Sequence, residues 1–188
     1  MKMNQLKLLG VIVMALASFP AAHTYAQKEK TVMVGGAAMY PSKNIVENAV
    51  NSKDHTTLVA AVKAAGLVET LSGPGPFTVF APTNAAFNKL PKAAVDKLMM
   101  PESKAMLANV LTYHVIAGKL DSKDLMMKIK AGKGKAVIKT VQGENLTFMQ
   151  KGNELWLMDS KGNKALVTIK DVYQSNGVIH VINTVLMP

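Results

Sequence analysis

The sequence predicts an α+β domain, and three patterns support this fold class. Apolar residues recur at helical spacing through much of the first half of the chain. From Val137 onward the pattern changes to short strand-like runs that are separated by glycine-containing turns. The 188 residues are 49% hydrophobic and 18% charged, which is the composition of a globular protein. Helices followed by an antiparallel meander are typical of an α+β fold.

Residues 1–26 have the features of a secretory signal peptide. Two lysines precede an apolar run, Leu8–Ala17, and small residues at Ala22 and Ala26 offer cleavage points, with cleavage after Ala26 or Ala22. The run is shorter than the roughly 20 residues that span a bilayer. The chain contains no cysteine, so it can form neither a disulfide nor a lipid-anchoring thioether. We expect a periplasmic or secreted protein that does not span a membrane.

The N-terminal part of the remaining chain predicts an extended lead followed by two helices. Residues 27–43 form an N-terminal extension, extended or irregular because of Gly35 and its neighbours. Ser42 is the expected cap of a short helix. A second helix is predicted from about Asp54, with Gly66 as its end.

The stretch "TVFAPTNAAF" predicts a strand that passes abruptly into a helical turn. In Phe77–Phe80, Phe77 and Val79 point to one face and Thr78 and Phe80 to the other, so both faces carry apolar side chains, which is typical of a central strand. Pro82 cannot donate to a ladder and ends the strand. Thr83 or Asn84 can cap the next turn, in which Ala85–Phe87 are expected to face inward.

Further helices and a meander complete the predicted order. Helices are expected after Pro91, within 101–111 and after the cap Asp121, and "TYHVIAG" reads as a strand before the last of them. The 101–111 segment carries an apolar stripe of Met106, Leu107, Val110 and Leu111. Five strands follow: "AVIKTV", "NLTFMQ", "ELWLMD", "ALVTIKDV" and "GVIHVINTVLM".

Three segments resemble the conserved blocks of the fasciclin (FAS1) domain family. "TVFAPTNAAFNKLP" and "NGVIHVINTVLMP" are similar to its two blocks, and "YHVIAGKL" to its Tyr-His motif, in the same order and spacing. The resemblance covers residues 44–188. It implies a FAS1-like β-sandwich or wedge with helices packed along one side. It also implies an extracellular adhesion or matrix-interaction role without catalysis.

The resemblance also implies four adhesion candidates. Tyr113 and His114 form the Tyr-His motif that is linked to adhesion. In vertebrate members an acidic residue followed by isoleucine is linked to integrin binding, and the matching positions here are Asp171 and Val172. Many members carry Asp where this chain has Asn183, so an ion pair to that carboxylate is absent.

Net charge adds a second set of binding candidates. All 22 basic residues are lysine, and the net charge is +10, or +8 without the two lysines of the signal peptide. "KIKAGKGKAVIK" concentrates lysines in a glycine-rich connection, and Lys130, Lys133 and Lys135 are the candidates there. Such a segment can attract an anionic polysaccharide in a salt-dependent way, and a solvated loop is the alternative. No aromatic residue is interleaved, so specific nucleic-acid binding is not indicated. A cell-surface or matrix protein is the other expected partner.

Catalytic, metal and cofactor sites are not predicted. Nucleophile-elbow, zinc-protease and phosphate-loop patterns are absent from the sequence. His55 is expected to be exposed beside a helix start, whereas His114 and His180 are expected to hydrogen-bond to backbone or carboxylate groups. The 13 methionines raise a copper hypothesis, but adjacent pairs such as Met99-Met100 diverge on a helix and form no soft-ligand cluster.

Two other functions remain open. The chain could carry an apolar small molecule such as a carotenoid or lipid, in a groove between helix and sheet that Leu125, Met126 and Met127 would line. A hydrolase or isomerase would need a polar cleft around His114 or His180. A carrier should co-purify with a ligand, whereas an adhesion module should not.

Overall fold

The computed structural model of the protein describes residues 30–188, and the predicted signal peptide 1–26 lies outside them. The described residues form a two-stranded hairpin, a seven-stranded sheet and seven α-helices. The α+β fold class predicted from the sequence is confirmed. The strands are β1 (Val32–Val34), β2 (Ala37–Met39), β3 (Phe77–Pro82), β4 (Val115–Ala117), β5 (Lys135–Lys139), β6 (Asn145–Lys151), β7 (Glu154–Met158), β8 (Lys164–Gln174) and β9 (Gly177–Ile182). The helices are α1 (Ile45–Ala49), α2 (Thr56–Ala65), α3 (Val68–Ser72), α4 (Asn84–Phe87), α5 (Lys92–Leu98), α6 (Lys104–Tyr113) and α7 (Ser122–Ala131), and 3-10 turns at Lys53–His55 and Pro101–Ser103 precede α2 and α6.

The large sheet has the strand order β4-β3-β9-β8-β7-β6-β5. Strands β5 to β9 form the predicted antiparallel meander. Strand β3 pairs in parallel with β9, so that Phe77 lies opposite Gly177, and antiparallel with β4. The prediction that the 77–80 strand is central is therefore confirmed.

Two buried clusters lie on opposite sides of β3. Val79 and Ala81 belong to the cluster beneath the hairpin and helices α1, α2, α3 and α6, which we call the helix-side core. Phe80 points the other way, into the cluster between α7 and the inner face of β5–β8, which we call the strand-side core. Both faces of β3 are buried, and this explains why apolar side chains occupy both of its faces, with Thr78 as a buried polar exception.

The strand-to-helix corner after β3 uses Thr83 and Asn84 differently. Thr83 caps α4, since its Oγ1 accepts a hydrogen bond from Ala86 N at 3.2 Å. The Asn84 side chain instead reaches the start of α2, accepting from Thr57 N at 3.0 Å and donating to Lys53 O at 2.9 Å. The inward orientation predicted for Ala85 is wrong, because Ala85 is exposed while its two successors are buried.

Helix ends follow the expected chemistry with one correction. Asp121 caps α7 in a capping box with Asp124, and α2 ends at Gly66, whose φ is 73°. The cap of α1 is Asn44 and not Ser42: Asn44 Oδ1 accepts from Glu47 N at 2.9 Å, and Asn44 N donates to Glu47 Oε2 at 2.8 Å. Only Asn44 stands three residues before a glutamate, which is the spacing that a capping box requires.

Three further segments differ from the sequence predictions. Tyr113 is the last residue of α6, so the strand predicted from "TYHVIAG" shortens to β4. Met106 is 56% exposed and lies outside the buried stripe of α6. The 27–43 extension contains the β1–β2 hairpin, which places Val34 and Met39 in the helix-side core. The short alternating pattern of this hairpin was too brief to be separated from an irregular lead.

Candidate functional site

Tyr113 and His114 are buried between the two cores. Tyr113 is fully buried, its hydroxyl donates to Asn145 O at 3.0 Å, and it accepts from Ser160 N at 3.2 Å. His114 Nδ1 donates to Val110 O at 2.8 Å, and Nε2 accepts from Leu186 N at 3.0 Å. Burial lowers the pKa of His114 to about 4, so the ring is neutral at pH 7. These two side chains join α6 to the β5–β7 region and to the C-terminal segment.

Asp171 is tied to the first turn of α7. Its two carboxylate oxygens accept from Ser122 N at 2.6 Å and from Ser122 Oγ at 2.5 Å. Asp171 has a φ of 60° and lies where the β8–β9 register shifts, and its N–H donates to His180 Nδ1 at 3.3 Å. His180 Nε2 donates to Leu120 O at 3.0 Å, and its ring stacks on Phe80 with centroids 5.5 Å apart. The carboxylate and the imidazole together position α7 against the sheet.

His180 is fully buried, more deeply than the half-buried position that strand alternation predicts. Burial lowers its pKa, and the Leu120 carbonyl and nearby carboxylates only partly offset this effect. The predicted hydrogen bonds of His114 and His180 to backbone groups are present. Next to them, Tyr173 donates to Asp121 Oδ2 at 3.1 Å, and burial is the largest cause that raises the pKa of Tyr173 to about 12.

The four adhesion candidates from the resemblance therefore face the interior or are bound there. Tyr113, His114 and Val172 are at most 3% exposed. The Asp171 carboxylate already accepts two hydrogen bonds from Ser122. Three of these side chains are therefore enclosed in the interior, and the partly exposed Asp171 carboxylate holds the start of α7.

The three lysine candidates are all exposed. Lys130 lies in the last turn of α7, Lys133 in the following turn with a φ of 56°, and Lys135 at the start of β5. Within residues 30–188 the one ion pair joins Lys92 and Asp96, so these three ammonium groups have no ion-pair partner there. The structure brings them together around one connection at the edge of the sheet.

The outward-facing side of strands β5–β8, which we call the outer sheet face, continues this lysine cluster. Its residues alternate with the buried inner face, and they form cross-strand rows that combine apolar and basic side chains. One row consists of Lys135, Met149, Trp156 and Leu166, and the next of Val137, Thr147, Met158 and Lys164. Val137 is 62% exposed, while Met149, Trp156, Met158 and Leu166 are half-buried. The Trp156 Nε1–H donates to Glu154 Oε2 at 3.0 Å, which fixes the indole on this face.

The outer sheet face was not predicted from the sequence. Along β5–β7 the residues of this face alternate with the core residues, and several of them are apolar like the core residues. This pattern becomes a surface only when the register of four strands is known.

His55 is buried, so its predicted exposure is wrong. It is 3% exposed, because the 3-10 turn directs the ring into the helix-side core. Nδ1 lies 2.8 Å from Ser52 Oγ, whereas Nε2 has no hydrogen-bond partner among the described residues. Burial lowers the pKa of His55, and the nearby Ala81 carbonyl and Asp54 oppose this effect.

Comparison with known proteins places this arrangement in a family. The family model for the fasciclin domain matches residues 53–188. The chain belongs to the fasciclin family. The chain is similar to Protein sll1483 of Synechocystis sp., with 43% identity over 180 residues that cover 96% of this chain and 89% of the relative. It is also similar to the cell surface glycolipoprotein MPB83 of Mycobacterium bovis, with 35% identity over 82% of this chain and 64% of that protein.

A solved structure supports the fold. The FAS1 domain pair from the insect cell adhesion molecule fasciclin I superposes with a TM-score of 0.70 at 18% identity, over 86% of this chain and 59% of that one. This likeness confirms the FAS1 fold that the three motifs predicted. It also explains why the motif residues are interior, since they build the β3 corner, the α6–β4 junction and β9 of the fasciclin domain.

Two further observations bear on the class of site. Among the residues from 30 onward, no group of three or more histidine and acidic side chains is placed to hold a metal ion, and no helix is long and apolar enough to cross a membrane. Leu125 is fully buried in the strand-side core, whereas Met127 is 62% exposed. These two side chains therefore do not line a common groove, contrary to the location expected for an apolar ligand.

Proposed function

We propose that this fasciclin domain is an exported, non-enzymatic interaction module that attaches to an anionic cell-surface or matrix polysaccharide. The observation that carries the proposal is the outer sheet face, where apolar side chains around Trp156 lie among lysines. A location at the cell surface is consistent with one relative, which is named a cell surface glycolipoprotein.

The outer sheet face combines two kinds of contact that a charged polysaccharide can use. Sugar rings have apolar C–H faces that pack against an indole or a thioether, and Trp156 is flanked in its row by Met149 and Leu166. Carboxylate or sulfate groups along the polymer are attracted by the exposed Lys135, and by the lysines of the adjacent turn. A polymer lying across the strands would contact both.

The use of lysine alone indicates recognition of charge density. Lysine is a hydrated point charge on a flexible stem and lacks the bidentate fork with which arginine selects one phosphate or carboxylate geometry. Binding through such groups is screened by salt, with a Debye length of about 8 Å at physiological ionic strength. We therefore expect binding that tolerates variation in polymer sequence and weakens steeply with salt.

Retention on a polyuronate column across a salt gradient tests this proposal. The variant with Lys130, Lys133 and Lys135 all replaced by Gln should elute at distinctly lower salt than the parent. A matched control with the exposed lysines 53, 97 and 104 replaced by Gln removes the same charge elsewhere. Equal elution of the two triple variants would refute a localised site.

The apolar part of the surface needs its own variant. Trp156→Ala should reduce retention on polyuronate at a salt concentration where charge is largely screened, without changing net charge. Val50→Ala, which removes an exposed apolar side chain on the opposite, helical part of the domain, is the control. If Trp156→Ala elutes with the parent, the lysines act alone and the sheet face is not the contact.

A further inference from the structure

Two exposed lysines stand at opposite ends of the apolar part of the outer sheet face. Lys135 lies on β5 at one end of the first cross-strand row, and Lys164 lies on β8 at the other end of the second row. The floor between them is formed by half-buried side chains that belong to neither buried core: Met149, Trp156, Met158 and Leu166. The surface is therefore an apolar floor with a cationic group at each end.

The distance between the two lysines follows from strand geometry. Three strand spacings separate β5 from β8, which is roughly 14 Å, and the two rows are offset by two residues along the strands, about 7 Å. The Cα atoms of Lys135 and Lys164 are therefore roughly 16 Å apart. A pyranose unit of a linear polysaccharide is about as long as one strand spacing, so about four sugars reach from one lysine to the other.

A negative charge on the same face restricts the direction of a bound anionic chain. Among the outward positions of β5–β8, Glu154 is the one acidic residue, and its Oε2 accepts the Trp156 Nε1–H at 3.0 Å. A polymer that ran along β7 over the indole would pass directly over this carboxylate and be repelled by it. A polymer that crosses the strands keeps to the other side of Trp156, toward Met158.

A second lengthwise path runs along β5 and offers less contact. It would bring a polymer to Lys135 and Lys139, which are both exposed, with Val137 between them. This path lies two strand spacings, about 10 Å, from Trp156. It gains charge attraction but leaves the apolar floor uncovered, whereas the crosswise path uses both.

As a refinement that rests on the function proposed above, we propose that the outer sheet face binds a linear acidic oligosaccharide of at least four sugars, crosswise to the strands. Lys135 attracts an acidic group near one end of this stretch, and Lys164 attracts one near the other end. The sugar faces between them pack on Trp156 and Met158. A disaccharide reaches one of the two lysines only, so the surface selects for chain length as well as for charge.

The tryptophan fluorescence of the protein reports directly on this face. The chain contains one tryptophan, Trp156, so titration with oligogalacturonates of two, four and six sugars at low salt measures binding at the apolar floor. We expect a saturable change with four and six sugars. The tetramer should bind more tightly than the dimer, and the ratio of the two affinities is the quantity to compare between variants.

Lys164→Gln removes the second anchor. It should lower the tetramer affinity by roughly two- to fivefold, the value of one exposed ion pair. The dimer affinity should stay nearly unchanged, because a dimer binds at the Lys135 end, where the lysines cluster. Longer oligomers also have more ways to bind, but this number is the same in parent and variant.

Lys139→Gln is the matched control. It removes the same charge from the same face, away from the crosswise path. The weaker field should reduce the affinities for dimer and tetramer equally, so their ratio should stay at the parent value.

The possible contrary results are distinguishable. An equal affinity ratio in the parent and in Lys164→Gln would remove the second anchor, and a ratio lowered only by Lys139→Gln would place the polymer along β5. Retention on polyuronate without any change in Trp156 fluorescence would place the contact elsewhere on the domain. Each of these results overturns the crosswise site and leaves polysaccharide attachment standing. Absence of both retention and fluorescence change would remove the proposed function itself.

Discussion

The two cores of this fasciclin domain differ in how completely their interior is used. In the strand-side core, Phe80 packs against Phe148 with ring centroids 5.3 Å apart, and the buried hydroxyl of Tyr113 has two hydrogen bonds. In the helix-side core, a cavity of about 60 Å³ remains, and within residues 30–188 His55 Nε2 has no hydrogen bond of normal geometry. Both cores lie against β3. They therefore differ in how tightly their side chains pack on the two sides of the same strand.

This difference bears on which residues identify the family and which residues are available for binding. Most of the residues that make the family recognisable, including Tyr113, His180 and the β9 strand, form filled and hydrogen-bonded parts of the molecule. The feature that remains available for contact is the lysine-bearing outer sheet face. The conspicuous sequence motifs here specify architecture, whereas the outer sheet face is built from residues that no motif marks.

Truncation of one leucine in each core should give the largest effect. Leu146→Ala, in the strand-side core, should lower the free energy of unfolding by about 4 kcal/mol, because its fully buried side chain leaves a new cavity. Leu58→Ala should cost only about 2 kcal/mol, because Leu58 already borders a void and loses fewer contacts. Urea denaturation of both variants measures the difference. Equal losses would show that the two cores are packed alike.

Acid should destabilise the protein through its buried histidines. The pKa of folded His114 is about 4, against an ordinary value of 6.5, so below pH 6.5 the unfolded chain binds a proton that the folded chain does not. Stability from this group is fully retained above pH 6.5 and falls until about pH 4. Between pH 7 and pH 5 the loss should be about 2 kcal/mol, and the lowered pKa values of His55 and His180 act in the same direction.

The variant His114→Gln separates this contribution from the others. It should be less stable than the parent at pH 7, because it disturbs two hydrogen bonds, yet its free energy of unfolding should change less between pH 7 and pH 5. Denaturation curves at the two pH values provide the comparison. An identical pH dependence in parent and variant would assign the acid sensitivity to other groups.

Asn84→Ala should have the smallest of these effects, a loss of about 1 kcal/mol. The side chain accepts from Thr57 N and donates to Lys53 O, so it caps the start of α2 from a neighbouring turn. Because α2 covers the helix-side core, loss of the Asn84 side chain should loosen that core and leave the strand-side core unchanged. Thermal unfolding with the exposed Asn88→Ala as control measures the cost, and native-state hydrogen exchange locates it. Exchange that accelerates equally in α7 would contradict this assignment.

Much of the fold was predictable from local chemistry. Pro82 ends β3, Gly66 ends α2 and Asp121 starts α7 as their side chains and backbone preferences require. The predictions failed where the deciding partner is distant in sequence. His55 is one example, since the β1–β2 hairpin and β3 lie against its 3-10 turn. The choice of Asn44 over Ser42 is an exception, because Glu47, three residues further on, decides it.

The candidate site was less predictable for the same reason. Lys130, Lys133 and Lys135 were found because charge is visible in sequence, and they lie exposed around one turn. The row that joins Lys135 to Trp156 depends on strand register across two hairpins, and no local pattern contains that information. A cavity is still harder to predict, because it forms where the side chains of several elements together leave a small volume unfilled.

The parallel pairing of β3 with β9 has a consequence for how the molecule is assembled. The strand that starts at Phe77 completes its hydrogen bonds with one that starts at Gly177, so about half of the chain must be synthesised and arranged before the middle of the sheet can close. Any fragment that ends before residue 177 leaves one side of β3 without its partner strand and open to pairing with other chains.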